Sequence, residues 1–286
     1  MSAIPPPAFR CYMNWLALDG LPEPADGWFH AILREKYDGV QFIQPLSHSL
    51  VDKARALGLG VSGSGRVNRP EEAASLAAEA CDAGLECLTL HVGWGMEDDS
   101  EAARLIAAVL EASAKFGIPL YPETHRATIF QDLWRTVQFT HRFPELRFNG
   151  DFSHWYTGLE MVYGGFETKL EFIRPVLERV RFLHGRIGTP GCIQVDIGDG
   201  SPQDRPYVSH FLALWTAAFA GFLRQAAPAD VICFTPELLA PGIYYARTFQ
   251  GHEESDRWQQ SLVLRQIARG CFEAARAGLQ AQSHPA

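Results

Sequence analysis

Short apolar runs and longer amphipathic stretches alternate along the 286-residue chain. The apolar runs have the length of strands, and the stretches between them repeat apolar residues at helical spacing, which is the pattern of βα units around a parallel sheet. Strands are predicted at Phe9–Leu16, Gly39–Ile43, Leu59–Ser62, Leu85–His91, the run Ile118–Leu120 that leads to Glu123, Leu146–Asp151, Arg181–His184 and Val231–Thr235. The third is the weakest, because glycine dilutes it. Helices are predicted at Asp26–Lys36, Leu50–Leu57, from Pro70 to a stop at Gly84, from Ser100 to Phe116, and at Phe130–Arg142, Thr168–Val180, Val208–Gln225 and Ser255–Ala277. Pro70 suits a first turn, Glu71 and Glu72 suit the positive end of the helix dipole, and Gly84, Gly117 and Gly278 follow last turns. Eight strands alternating with eight helices predict a closed (β/α)8 TIM barrel, a single α/β domain over residues 1–286, because parallel strands with helical crossovers are covered on both faces. One helix, Phe211–Leu223, is apolar on more than one face. It is expected either to lie under another helix or the terminal segment, or to form a homo-oligomer interface.

Composition narrows the partners. The net charge is -8, the pI is about 5.7, and no block of Lys or Arg supplies the basic stripe that nucleic-acid binding requires. A small-molecule partner is the expectation, with no nucleic acid. The six cysteines form no Cys-x-x-Cys pair, and Cys87 and Cys233 sit in strand runs, as reduced cytosolic residues do. Met1–Pro7 carries neither a basic region nor an apolar stretch of signal-peptide length, and the longest nearly apolar run falls short of the ~20 residues of a membrane span. A cytoplasmic protein with no membrane partner is expected.

The predicted strands end on chemistry. Glu123 follows the fifth, Asp151 ends the sixth, His184 the seventh, and Glu237 follows the eighth. In a parallel barrel the carboxyl ends of successive strands converge on one point. Three carboxylates and an imidazole would repel one another there without a cation, so one bound divalent metal is predicted. Oxygen-rich ligation with one nitrogen suits Mn, Mg or Co and allows Zn or Fe. Around these residues lie His154, three beyond Asp151, and Arg186, two beyond His184, both expected beside a substrate oxygen; Arg186 is alternatively a salt-bridge partner of the carboxylates. His91 at the end of the fourth strand and His125 also face the mouth, as substrate contacts or structural donors. The loop Gly188–Pro202, with Gln194 and Asp196, is long enough to cover a substrate, and Trp94, Trp155 and Tyr156 are either a wall of the mouth or core.

The order of Pro122-Glu123-Thr124-His125, Asp151-Phe152-Ser153-His154-Trp155, His184-Gly185-Arg186 and Thr235-Pro236-Glu237-Leu238 resembles the xylose-isomerase-like TIM barrels, the sugar phosphate isomerase/epimerase group. That group includes ketose 3-epimerases, inosose dehydratases and endonuclease IV. The resemblance covers most of the chain, from Phe9 to the last helix. It implies that Glu123, Asp151, His184 and Glu237 hold one divalent metal, that Glu123 and Glu237 exchange the substrate proton, and that His154 assists. The ketose epimerases place their arginine several residues beyond the histidine, whereas Arg186 is only two beyond His184. Endonuclease IV adds an Asp-x-His pair where this chain has Asp196-Ile197-Gly198, which argues against DNA repair. The function implied is an isomerase or epimerase of a sugar or sugar-like polyol ketone, working by proton transfer through a metal-bound enediolate. A dehydratase of the inosose-dehydratase type and a non-catalytic sugar-binding barrel are the alternatives. No glycine-rich phosphate loop is visible, so a phosphorylated sugar is not implied.

Overall fold

The computed structural model describes residues 5–202 and 205–283; residues 1–4, 203–204 and 284–286 lie outside them. Eight parallel strands form one sheet among the described residues: β1 Ala8–Asn14, β2 Gly39–Ile43, β3 Gly60–Val67, β4 Leu88–Val92, β5 Leu120–Pro122, β6 Phe148–Gly150, β7 Val180–Gly185 and β8 Val231–Pro236. Their order is β5-β4-β3-β2-β1-β8-β7-β6, and a parallel bridge between Glu123 and Asn149 joins the two ends. The result is the predicted (β/α)8 barrel.

The helices that cover it are α1 Trp28–Arg34, α2 His48–Ala56, α3 Pro70–Asp82, α4 Asp99–Phe116, α5 Leu133–Arg142, α6 Phe152–Gly158, α7 Phe166–Phe172, α8 Arg174–Leu177, α9 Pro206–Gln225 and α10 Arg257–Ser283. Several boundaries differ from the sequence reading, each for a local reason. The first strand stops at Asn14, whose side chain accepts from the Leu16 amide and turns the chain into a 3-10 segment. Asp132 caps α5 by accepting from the Arg135 amide, which delays the helix past Phe130. The single helix expected over Thr168–Val180 is two pieces, because Pro175 has no amide hydrogen to continue α7. Helix α10 passes Gly278 and runs to Ser283.

The weak third strand is the longest strand in the barrel, and its glycines are the reason it fits. A Cβ built on Gly60 would lie 2.0 Å from the Tyr12 hydroxyl, and one on Gly63 would lie 2.5 Å from Leu88. Tyr12, Cys87, Phe182 and Cys233 fill the lower interior of the barrel as a cluster separate from the main core between sheet and helices. Because strand side chains alternate with a period of two, the next inward positions on the same strands are Asn14, Thr89, His184 and Thr235. An apolar floor therefore carries a polar layer directly above it.

Helix α9 is covered within the chain: Phe211, Leu214, Trp215, Ala218, Phe219 and Phe222 are buried, with α10 packed along it. That is the first of the two readings of its apolar faces. Trp155 and Tyr156 are core residues and not a wall of the mouth, whereas Trp94 is half exposed. All six cysteines are free, with Cys87 and Cys233 buried. No helix of the described residues is long and apolar enough to cross a membrane.

Candidate metal centre

Glu123, Asp151, His184 and Glu237 meet at the carboxyl ends of β5 to β8, each offering one ligand atom within 4.8 Å of the others. All four are buried, with Glu237 the most accessible at 8%. Asp151 is not a strand residue. It caps α6, a helix absent from the sequence reading, and one carboxylate oxygen accepts from the Ser153 amide and hydroxyl. That cap turns the other oxygen toward the centre, where it accepts from Arg186.

The orientation of His184 follows from a chain of hydrogen bonds. Thr89 donates its hydroxyl to the Gly63 carbonyl and accepts from the Gln41 amide at 3.1 Å, which leaves the Gln41 carbonyl oxygen facing His184. His184 Nε2 donates to that oxygen at 2.9 Å. Its Nδ1 lies 3.1 Å from a Glu123 oxygen and 3.3 Å from a Glu237 oxygen, without a hydrogen-bond partner. Two carboxylates thus surround a nitrogen that needs either a proton or a cation between it and them. Burial opposes the imidazolium, but Glu237 and Glu123 outweigh it and raise His184 to about 9. Burial also pushes Glu237 up to about 7, against the pull of His184 and Arg186. Burial raises Glu123 too, yet the facing His184 and His91 hold it well below the ordinary carboxylate range.

The donor set fits one divalent cation. Glu123 Oε1 and His184 Nδ1 are buried polar atoms with no partner in the protein. Three carboxylates against the single guanidinium of Arg186 leave two negative charges when His184 is neutral, which a divalent ion balances. The cluster could hold one metal ion. A second group, His91, Glu123 and His125, also brings its ligand atoms within 4.8 Å. There, however, Arg66 donates to His91 Nδ1 at 3.2 Å, so the His91 nitrogen facing Glu123 carries hydrogen and is no ligand.

The residues predicted around the centre divide. His154 sits beside it, its Nε2 3.4 Å from Asp151 and 3.8 Å from Glu123, accepting from Arg186 at 3.0 Å. Burial, with His125 and Arg186 nearby, holds His154 well below its ordinary value, so it is neutral. Arg186 is 1% exposed and engages Asp151, Glu237, Ser153 and His154 together. These are the contacts of its salt-bridge alternative. His91 lies 3.6 Å from Glu123 and packs against His125, which packs in turn against His154, the rings tilted by 36° and 46° with centroids 4.0 and 3.7 Å apart. Gln194 exchanges two hydrogen bonds with the Leu239 backbone, which ties the long loop to the segment after β8.

Sequence reasoning missed Asn14, Gln41, Thr89 and Asn149. Asn149 donates to Glu123 at 2.9 Å, and Asn14 approaches both Gln41 and Glu237 at 3.5 Å. A signal existed: each is a polar residue on the inward register of an otherwise apolar strand run.

Comparison with known proteins places the architecture. No protein-family profile and no curated protein matches the chain. Among solved structures, an L-ribulose 3-epimerase is similar over 97% of this chain and 99% of its own, with a TM-score of 0.60 and 13% identity. A sugar phosphate isomerase/epimerase from Parabacteroides distasonis is similar over 90% and 96%, with a TM-score of 0.54 and 11% identity. A xylose isomerase domain protein from Planctomyces limnophilus is similar over 95% and 97%, with a TM-score of 0.52 and 16% identity. The fold is the (β/α)8 barrel that these structures share. At these identities the likeness concerns the course of the backbone, and the chemistry of the centre rests on its own residues.

Proposed function

We propose that the protein is a divalent-metal-dependent isomerase or epimerase of a sugar or sugar-like polyol ketone, with Glu123, Asp151, His184 and Glu237 holding the ion. The observation that carries this reading is that Glu123 and Glu237 reach the same His184 nitrogen from two different strand ends, at 3.1 and 3.3 Å, with one Glu123 oxygen buried and unpartnered. Two carboxylates converging on one point from different strands are what a proton exchange needs, one to take a proton and the other to give it. A divalent ion held there supplies Lewis-acid polarisation of a carbonyl and makes the neighbouring C–H acidic.

The protein's own groups do the rest. A cavity of about 620 Å³ opens above the centre, and Glu237, His91 and His125 are among the residues that line it. In the epimerase reading one glutamate removes the proton from the carbon beside the carbonyl and the other returns it to the opposite face. Asn149 holds Glu123 through one oxygen, which leaves the other free to act. His154 accepts from Arg186, so its Nδ1 carries hydrogen, and that buried donor has no partner in the protein. It is assigned to a substrate oxygen. Arg186 is assigned to fixing Asp151 and Glu237, and His91 to orienting Glu123.

Glu123→Gln and Glu237→Gln each remove the proton acceptor, and turnover should fall by about 100-fold or more. Reaction in deuterium oxide should place deuterium on the product carbon next to the carbonyl. An active substrate whose product carries no solvent deuterium would replace this reading with a shielded transfer or a hydride shift.

A further inference from the structure

Arg66, near the end of β3, lines the cavity above the centre together with Leu16, Ile43, His91 and Tyr245. Its guanidinium donates to the Gly93 carbonyl at 2.8 Å and to His91 Nδ1 at 3.2 Å, and its face stacks on Trp94 at 4.0 Å from the ring centroid. No ion pair to Arg66 occurs among the described residues. The carboxylates of the centre are turned to His184 and Arg186, and Glu97 in the adjoining loop is occupied by the amides of Trp94, Gly95 and Met96. Glu123 and Glu97 act on Arg66 only through space, and a half-buried cation with no carboxylate in contact loses more hydration when a ligand covers it. A neutral hydroxyl does not compensate that loss; a carboxylate does, through two parallel hydrogen bonds.

We propose that Arg66 receives a carboxylate of the substrate, so that the reacting molecule is a keto-sugar acid and not a neutral ketose. This deepens the isomerase reading and rests on it for the identity of the reacting end. His91 spans the gap between the two ends, since it touches Arg66 on one side and Glu123 on the other. A substrate anchored at Arg66 therefore lies along His91, with its carbonyl a few bonds away at the centre. The cavity lining holds one arginine and no lysine, which matches a single carboxylate better than a phosphate dianion.

The test compares ketoses with the keto-aldonates of the same carbon skeletons, on metal-loaded enzyme. The wild type should favour the acids by about 100-fold in kcat/KM, and Arg66→Gln should lower that ratio by about tenfold or more, chiefly through KM. Arg66→Lys, which keeps the charge and loses the fork, should fall between them. Equal use of ketoses, or a ratio untouched by Arg66→Gln, overturns the proposal. A binding arm uses thermal shift with D-gluconate, sorbitol and inorganic phosphate. Gluconate should stabilise the wild type and not Arg66→Gln, while sorbitol treats the two alike. Equal gluconate shifts, or an Arg66-dependent phosphate shift larger than that of gluconate, also overturn it. An Arg66-dependent gluconate shift without turnover of any sugar sinks the isomerase reading and leaves this one standing; turnover of neutral ketoses without that shift does the reverse.

Discussion

At the residue scale, the tautomer of His184 decides what the centre can hold. Because Gln41 takes its Nε2 hydrogen, the nitrogen facing Glu123 and Glu237 is left for a proton or a metal. His184→Ala should therefore deplete the metal, and Gln41→Leu should weaken metal binding by about 10–100-fold, as loss of a partner behind a ligand does. His154→Ala should leave metal content nearly unchanged while damaging turnover. Metal analysis of the purified variants checks this, and equal loss in all three would refute the division of roles. The same geometry sets a pH dependence. In the metal-free protein His184 is raised from 6.5 to about 9, so its stabilising contribution is complete below 6.5 and is lost as pH rises through 9. Glu237, raised from 4.5 to about 7, loses its contribution as pH climbs through 7, in the same direction. Glu123 is depressed, so its contribution is present above 4.5 and does not oppose the others in this window. A metal held by His184 would take the place of that proton. The gap in Tm between metal-loaded and stripped protein should widen from pH 6 to 9, and a constant gap would show that His184 is not a ligand.

At the element scale, the site depends on places where a side chain would not fit. Gly185 lies between His184 and Arg186, and a Cβ there would sit 1.9 Å from the Phe234 ring. Gly185→Ala should destabilise the protein by about 1–3 kcal/mol and lower its metal content, since relief of the clash moves both neighbours. Gly278, with open space around it inside α10, is the contrast: Gly278→Ala should stabilise by about 0.5–1 kcal/mol. Urea midpoints of the two variants, moving in opposite directions, check this pair. These two glycines look alike in sequence, and the sequence reading misjudged the second. It took Gly278 as a stop because glycine ends many helices, but the helix continues through it to Ser283. The same limit hid α6, since Asp151 reads equally well as the end of a strand or the cap of a helix until the turn of the backbone is known.

At the scale of the whole molecule, the C-terminal helix locks the barrel. Phe272 of α10 packs on Phe9 of β1 and Phe219 of α9, with centroids 5.7 and 5.6 Å away. Phe272→Ala should destabilise by about 3–5 kcal/mol, the range for truncating a buried aromatic, without changing metal content in the folded protein. Chemical denaturation followed by tryptophan fluorescence measures the first, and metal analysis the second. An unaltered midpoint would mean that α10 is dispensable to the closed core. That α9 is apolar on several faces was legible from its residues; that α10 packs along it was not, because an apolar surface specifies burial without naming the partner.

The sequence by itself determined the alternation of strand and helix and the polar residues that end the strands, because both are local patterns written at periods of two and 3.6 residues. It pointed to Glu123, Asp151, His184 and Glu237 as a group, and the structure brings those four together. Only the tertiary structure decided which atom of each faces the centre and that Arg186 is buried among carboxylates. It alone brought Gln41, Asn14 and Asn149 in behind them and left Arg66 above them without an ion pair among the described residues. Those facts depend on distances between strands far apart in the chain: His184 and Gln41 are 143 residues apart and Asn14 and Glu237 are 223 apart, and no local pattern encodes which of them touch.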